Sequence, residues 1–392
     1  MKKIACFVLI TVFSVSSFAG VLNFPGNSVT TEHTGTAGGF TAIGGKGASA
    51  VLLNPAALTT VEELAWELGA VALYLDFDYD RHELLGGGSF DACNEFLPVP
   101  YGAFAYRFGD FVFAVGTYTP YGLEVDYGDD LGFDSQMSFT DVVAGFGYEV
   151  NEYLSLGTSF KAIYADIGME MPLIAGGQYL GQSKSSASGW GYGYSMGTRL
   201  QLDPFVFGLT YEPVTKVKVE GHSDLPPAIG VASDSFSSHV YSPERIGIGV
   251  SWQAVEKLNI GASYFRTDYG KNRQATFDYD LLPNNTLILG WDVVNSVHLG
   301  AEYELSDQWM LRVGGTWMSK GTPDYSPPSI PDGDGWIASA GFSRQISECT
   351  FLDVGLGYFW ADRHIDASRR NIAAGDISME GFVIGAGLRQ GF

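Results

Sequence analysis

The 392-residue chain has little positive charge, few cysteines and, beyond its first residues, no long apolar run. Each shortage excludes something. Lysine and arginine number 22 against 44 aspartates and glutamates, and the net charge of -22 argues against a nucleic-acid partner, which would need a basic face. No stretch after the N-terminus is apolar for the roughly 20 residues that a spanning helix needs. No C-x-x-C pair, phosphate-cradling loop or nucleotide fingerprint occurs, so no cofactor is expected and no metal site is assigned. What is present points elsewhere. Hydrophobic residues make up 46% and aromatic residues 14%, too much for a charged disordered chain. Glycine, at 51 residues, is far above its usual share of about 7%. Such density weakens strands in water but is tolerable where a closed hydrogen-bond ladder surrounded by lipid enforces them.

The N-terminus reads as a secretory signal peptide over residues 1–19: basic Lys2 and Lys3, an apolar run from Ile4 to Val15, and Ser17-Phe18-Ala19 before Gly20. Its removal takes Cys6 and leaves Cys93 and Cys349, which either pair or stay as thiols. Both are expected in connections on opposite rims of the molecule, which favours two unpaired thiols.

From Ala65 the chain repeats one unit of about ten alternating residues followed by a connection. Ile246, Ile248, Val250 and Trp252 oppose Gly247, Gly249 and Ser251; Leu258, Ile260, Ala262 and Tyr264 oppose Asn259, Gly261 and Ser263. A period of two with one apolar face marks half-buried strands. Fourteen strands are expected, beginning near residues 65, 99, 111, 137, 153, 186, 205, 241, 258, 291, 309, 336, 351 and 379. Their connections alternate between short turns and long loops, among them 169–185, 219–240 and 270–290. An even strand number with short periplasmic turns and long outer loops fits an all-β, antiparallel transmembrane barrel with an apolar outside and a polar or glycine-lined inside. The last strand, 382–392, ends on Phe392 like the closing strand of an outer-membrane barrel. A soluble β-sandwich is the competing fold.

Residues 20–63 do not alternate. Gly35, Gly38, Gly39, Gly44, Gly45 and Gly47 precede an apolar stretch through Leu58. The segment is either a periplasmic arm or a plug, since the lumen of a wide barrel would otherwise hold water.

Several small motifs have ordinary explanations. Gly193-Tyr194-Ser195-Met196-Gly197 matches G-x-S-x-G but lies inside a strand, without the strand-turn-helix elbow such a serine needs. Ser296 and His298 share a strand face without a third orienting group, so no catalytic residue is assigned and the chain is not expected to be an enzyme, an outer-membrane lipid hydrolase being the enzymatic alternative. Asp332 and Asp334 offer too few oxygens for calcium and suit a solvated turn. Lys184, Lys216, Lys218 and Arg245 are the scarce cations of the outer half; they either meet a ligand carboxylate or partner surplus acids.

The glycine-rich opening, Gly47-Ala48-Ser49-Ala50 leading to Asn54-Pro55-Ala56, Gly189-Trp190-Gly191-Tyr192-Gly193, Pro243-Glu244-Arg245-Ile246-Gly247 and Ile330-Pro331-Asp332-Gly333-Asp334 together carry a resemblance. The chain resembles the outer-membrane long-chain fatty acid and hydrocarbon transporters, the FadL/TodX-like family, over essentially its whole mature length. The resemblance implies a hatch at 20–63 inside a fourteen-stranded barrel at 64–392, with Gly47, Ser49, Asn54, Pro55 and Ala56 as hatch or gating residues. It also implies sideways release of a hydrophobic ligand at an interrupted third strand, where Thr119-Pro120-Tyr121-Gly122 lie; proline there removes a ladder donor. The implied setting is the outer membrane of a Gram-negative bacterium. Partners would be a hydrophobic small molecule, the surrounding lipid and lipopolysaccharide, and the barrel assembly machinery acting through Phe392. The alternative is a structural or adhesive barrel, or a phage receptor, with acidic loops.

Overall fold

The computed structural model describes residues 30–92, 96–175, 178–366 and 374–391. The expected signal peptide, Cys93 and Phe392 lie outside them. One antiparallel sheet closes on itself into a fourteen-stranded barrel. Its strands are β1 (Leu64–Arg81), β2 (Phe96–Phe108), β3 (Phe111–Asp126), β4 (Asp134–Glu149), β5 (Leu154–Ala175) and β6 (Gln178–Leu202). Next come β7 (Phe205–Glu212, continued as Thr215–Asp224), β8 (Ser233–Ser242, continued as Glu244–Val255), β9 (Leu258–Asp268) and β10 (Val293–Ser306). The last four are β11 (Trp309–Met318), β12 (Asp334–Gln345), β13 (Thr350–Ile365) and β14 (Gly375–Gly391). Closure is complete along one seam: β1 pairs β14 from Ala65↔Gly391 to Arg81↔Gly375.

The alternation sorts side chains as a bilayer demands. Ile248, Trp252, Ile260, Tyr264, Leu356, Trp360, Ile384 and Leu388 are exposed on the outer wall, while Gly247, Gly249 and Ser263 face the lumen. These apolar residues meet lipid, so their exposure needs no partner protein.

The strands outrun the membrane on one side. β5 has 22 residues and β6 has 25, against the roughly 9–11 that span a bilayer. The expected loops 169–185 and 219–240 are therefore largely strand: β5 and β6 pair from Leu154↔Leu200 to Ala175↔Gln178, and the upper part of β7 pairs β8 from Ser242↔Thr215 to Ser233↔Asp224. Serine, lysine and aspartate replace the lipid-facing apolar residues there, so apolar alternation stops while hydrogen bonding continues. Within 270–290 a small hairpin, Gln274–Tyr279 with Asn285–Ile288, leans against β8 through Phe236↔Tyr279.

Candidate functional site

Residues 30–60 fold inside the barrel as short helices: α1 (Thr31–Gly35), α2 (Ala50–Leu53) and two 3-10 turns at Thr41–Ile43 and Pro55–Thr60. The sequence Asn54-Pro55-Ala56 explains the last of these. Asn54 is its N-cap, its side-chain oxygen accepting from the Ala56 amide at 3.1 Å, and Pro55 follows where a missing N–H costs nothing. The other end of the Asn54 amide donates to the Ala42 oxygen at 2.8 Å and to the Thr198 oxygen on β6 at 3.1 Å. Asn54 thus holds two parts of the hatch and one part of the wall. Its neighbours Val51, Ala56, Ala57 and Leu58 are fully buried.

The wall is stitched to the hatch around most of its circumference. Ser49 donates its backbone N–H to Glu67 on β1 (3.0 Å), and the Tyr101 hydroxyl on β2 accepts from the Thr31 amide (3.1 Å). Thr59 reaches Ser155 on β5 (2.8 Å), Ser263 on β9 donates to the Gly39 oxygen (2.9 Å), and Thr316 on β11 donates to the Ala37 oxygen (2.6 Å). Arg312 on β11 is buried among Glu302 (2.8 Å), Asp353 (3.2 Å) and Glu32 of the hatch (3.4 Å). Gly47 has a φ of +102°, which favours glycine, and its amide meets Thr60 at 3.4 Å.

The lumen-facing glycines find their reason here. A Cβ on Gly157 would stand 2.3 Å from the Pro55 carbonyl carbon and 2.4 Å from the Ala56 nitrogen. At Gly314 it would meet the Thr36 carbonyl carbon at 2.3 Å. Backbone lies against backbone, and only hydrogen fits between.

The wall is interrupted between β2 and β3. β2 pairs β1 continuously from Tyr106 up to Phe96, but it pairs β3 only from Phe108↔Phe111 to Gly102↔Thr117. Above that rung, 118–126 of β3 have no partner on the β2 side among the described residues, and β2 carries Pro98 and Pro100, which have no N–H to offer. On its other side β3 shifts register between Tyr118↔Asp141 and Tyr121↔Phe139, so that Thr119 and Pro120 oppose Thr140 alone. This is a β-bulge, and it bends the strand. Alternation along β3 ends with it: residues 111–116 alternate exposed and buried, whereas Tyr118, Thr119, Pro120, Tyr121 and Gly122 are all buried. Thr119 Oγ1 bonds Thr140 Oγ1 at 3.0 Å. Pro98 and Pro100 were visible in the sequence but do not stand out until the ladder beside them is seen to stop.

Inside, Tyr121 and Gly122 form part of the lining of a cavity of about 430 Å³ enclosed by the upper parts of β4 to β8, the 274–288 hairpin and Ile330. Met137, Ile167, Phe236, Phe277 and Trp291 typify its apolar surface. Below it lies a buried charge cluster. Lys161 on β5 contacts Glu212 (2.7 Å), Asp141 (3.3 Å) and the Tyr118 hydroxyl (3.0 Å). Arg245 stands opposite Glu212 across the β7–β8 ladder, its guanidinium 3.9 Å from the centre of the Phe265 ring.

Of the four candidate cations, Lys184 and Lys218 point outward, paired with Glu170 (3.5 Å) and Glu220 (2.5 Å); Lys216 is exposed on the same outer face. Arg245 is lumenal but does not line the cavity. Ser195 sits mid-strand, bonded to Ser159 at 2.6 Å, and His298 bridges Ser296 (2.8 Å) and the hatch oxygen of Ala37 (2.9 Å) under full burial. Asp332 caps the amides of Gly321 (2.6 Å) and Thr322 (2.8 Å), and Asp334 caps Lys320 (2.9 Å), so both carboxylates organise the 319–335 loop. Burial pushes the Asp332 carboxyl above its usual range. Cys349 is a free thiol in a short turn.

The fold and sequence have known counterparts. The barrel superposes on a crystal structure of a Pseudomonas aeruginosa FadL homologue with a TM-score of 0.81 at 17% identity, covering 96% of this chain and 100% of that one. It superposes on the toluene transporter TodX of P. putida with a TM-score of 0.71 at 15% identity, covering 96% and 99%. The long-chain fatty acid transport protein of Salmonella typhi is 26% identical over 357 residues, 78% of this chain and 80% of the relative. The model of one family, described as outer membrane protein transport protein (OMPP1/FadL/TodX), matches residues 10–389. The chain belongs to that family, as a multi-pass transport barrel of the Gram-negative outer membrane and not an enzyme.

Proposed function

We propose that the protein carries hydrophobic small molecules passively from the outer leaflet side into the cavity and releases them sideways between β2 and β3. The observation that carries this reading is the meeting of the two features at Tyr121 and Gly122: the apolar cavity abuts the segment where the β2–β3 ladder has stopped. Straight passage down the barrel axis is unfavourable for such a ligand. It would have to cross the Lys161, Asp141 and Glu212 cluster and then a hatch whose backbone touches the wall. Burial of each CH2 contributes about 0.8 kcal/mol, so an apolar pocket holds a ten-carbon chain with few polar contacts. The relatives named for long-chain fatty acids and toluene are consistent with a ligand of this kind. Thr119, Pro120, Tyr121 and Gly122 act as the lateral opening; Gly47, Ser49, Asn54, Pro55 and Ala56 keep the hatch seated. Lipopolysaccharide around the outer rim, and the assembly machinery acting on Phe392, are the partners this reading adds.

The test is uptake into vesicles bearing the purified protein. A labelled aromatic hydrocarbon should accumulate saturably, while a sugar of similar size stays outside. Equal passage of the sugar would make the protein a water-filled porin and end this reading.

A further inference from the structure

The cavity discriminates by charge as well as by polarity. Among the described residues no lysine or arginine lines it. The two cations beneath it are committed: Lys161 to Asp141 and Glu212, and Arg245 beside Glu212 with its guanidinium over Phe265. Two cations and two carboxylates leave that cluster neutral, with nothing in surplus for an incoming anion.

Much of the cavity's polar lining is engaged as well, and its unpartnered groups, the Tyr121 hydroxyl and the Trp291 N–H, are neutral. Ser185 bonds Ser223 (2.7 Å), Ser238 donates to the Thr276 oxygen (2.8 Å), and Ser135 donates to the Ser329 oxygen. The Asn272 side chain both accepts from the Tyr241 amide (3.0 Å) and donates to its oxygen (2.7 Å). A charged headgroup thus finds neutral donors but no lysine or arginine inside, and it fares no better at the rim. There the closing hairpin carries Asp278 and Asp280, and Asp234 caps the amides of Leu281 and Leu282 at 3.1 and 2.8 Å. An ionised carboxylate would be desolvated without a cation inside, or placed among carboxylates outside, and both positions cost free energy.

We infer that the ligand is electrically neutral, a hydrocarbon or a weakly polar derivative of one, and that ionised fatty acids are rejected. The inference rests on the uptake reading above and narrows it to one substrate class.

The experiment uses the full barrel in lipid nanodiscs and the fluorescence of Trp291, which lines the cavity, with a Trp291→Phe control to isolate its signal. Binding of 1-dodecanol and of dodecanoate is compared at about pH 9, where the carboxyl group is ionised, with each ligand's bilayer concentration measured. Dodecanol should bind saturably and dodecanoate at least about tenfold more weakly, a difference of about 1.4 kcal/mol. Met171→Lys, which adds a cation to the lining, should recover most of the dodecanoate affinity. If wild-type protein binds dodecanoate as tightly as dodecanol, the charge selection is wrong while hydrophobic uptake stands. Binding of neither, together with no saturable uptake of hydrocarbon, overturns both. Should the Met171→Lys barrel fail to fold, the wild-type comparison alone decides.

Discussion

The side-chain amide of Asn54 reaches from the hatch to the main-chain oxygen of Thr198 on the barrel wall, 3.1 Å away, while holding Ala42 and Ala56 of the hatch itself. One side chain therefore sets the hatch's internal geometry and its position in the lumen. Asn54→Ala leaves two buried carbonyls and one buried amide without this partner, at about 1–3 kcal/mol for each group left unsatisfied. The barrel ladder does not depend on it. Asn54→Ala should raise small-ion conductance in a planar bilayer while the folded form keeps its anomalous migration on gels. A barrel that no longer folds would show instead that the hatch is needed for assembly.

Gly157 tests the same seat from the wall side. Gly157→Val places a branched side chain where the Pro55 and Ala56 backbone lies at 2.3–2.4 Å. Neither strand nor hatch can yield by that much, so the hatch should be displaced. Limited proteolysis should cut within 30–60 in the variant and not in the wild type, with the strands intact. Equal resistance of both proteins would contradict the close approach.

Acid should loosen the hatch. His33 is buried, and desolvation, with Arg312 adding and Glu32 opposing, holds its imidazole down at about 4 against an ordinary 6.5. The hatch prefers the neutral ring, so its full stability is present above about pH 6.5 and is lost as pH falls through 4. The slope approaches about 1.4 kcal/mol per pH unit in that window. Conductance of the wild type should rise between pH 6.5 and 4, and His33→Asn should flatten the rise. An unchanged profile in the variant would assign the acid response to other groups.

Much of this architecture is legible in the sequence because lipid imposes a simple rule. Residues such as Ile248, Trp252, Leu356 and Trp360 must be apolar on the outside, and their spacing gives the strands. Asn54-Pro55-Ala56 is legible too, since asparagine before proline is a cap with a mechanism. The cavity is not. Its walls are the strand extensions above the membrane, where serine and lysine replace the apolar outer face and the periodic signal fades. Lys184, Lys216 and Lys218 fall in the outer half as expected, yet strand parity turns them away from the lumen. A sequence reading places a residue at a height far more easily than on a face once apolar alternation has stopped. The β2–β3 break needed the ladder itself: Pro120 alone also fits a strand end, whereas Pro98, Pro100 and the bulge opposite Thr140 mark an interrupted wall.

The most direct measurement removes the bulge. Deleting Pro120 leaves Thr119 alone opposite Thr140, restores a regular β3–β4 register and takes away the inward bend. The hatch meets this strand below the change, where Leu52 packs against Gly116, so ion conductance should stay at the wild-type level. Saturable uptake of a labelled hydrocarbon should fall to that of protein-free vesicles as the sideways path closes. Uptake that survives at the wild-type rate in a folded barrel lacking the bulge would contradict lateral release and direct the search to a path through the hatch.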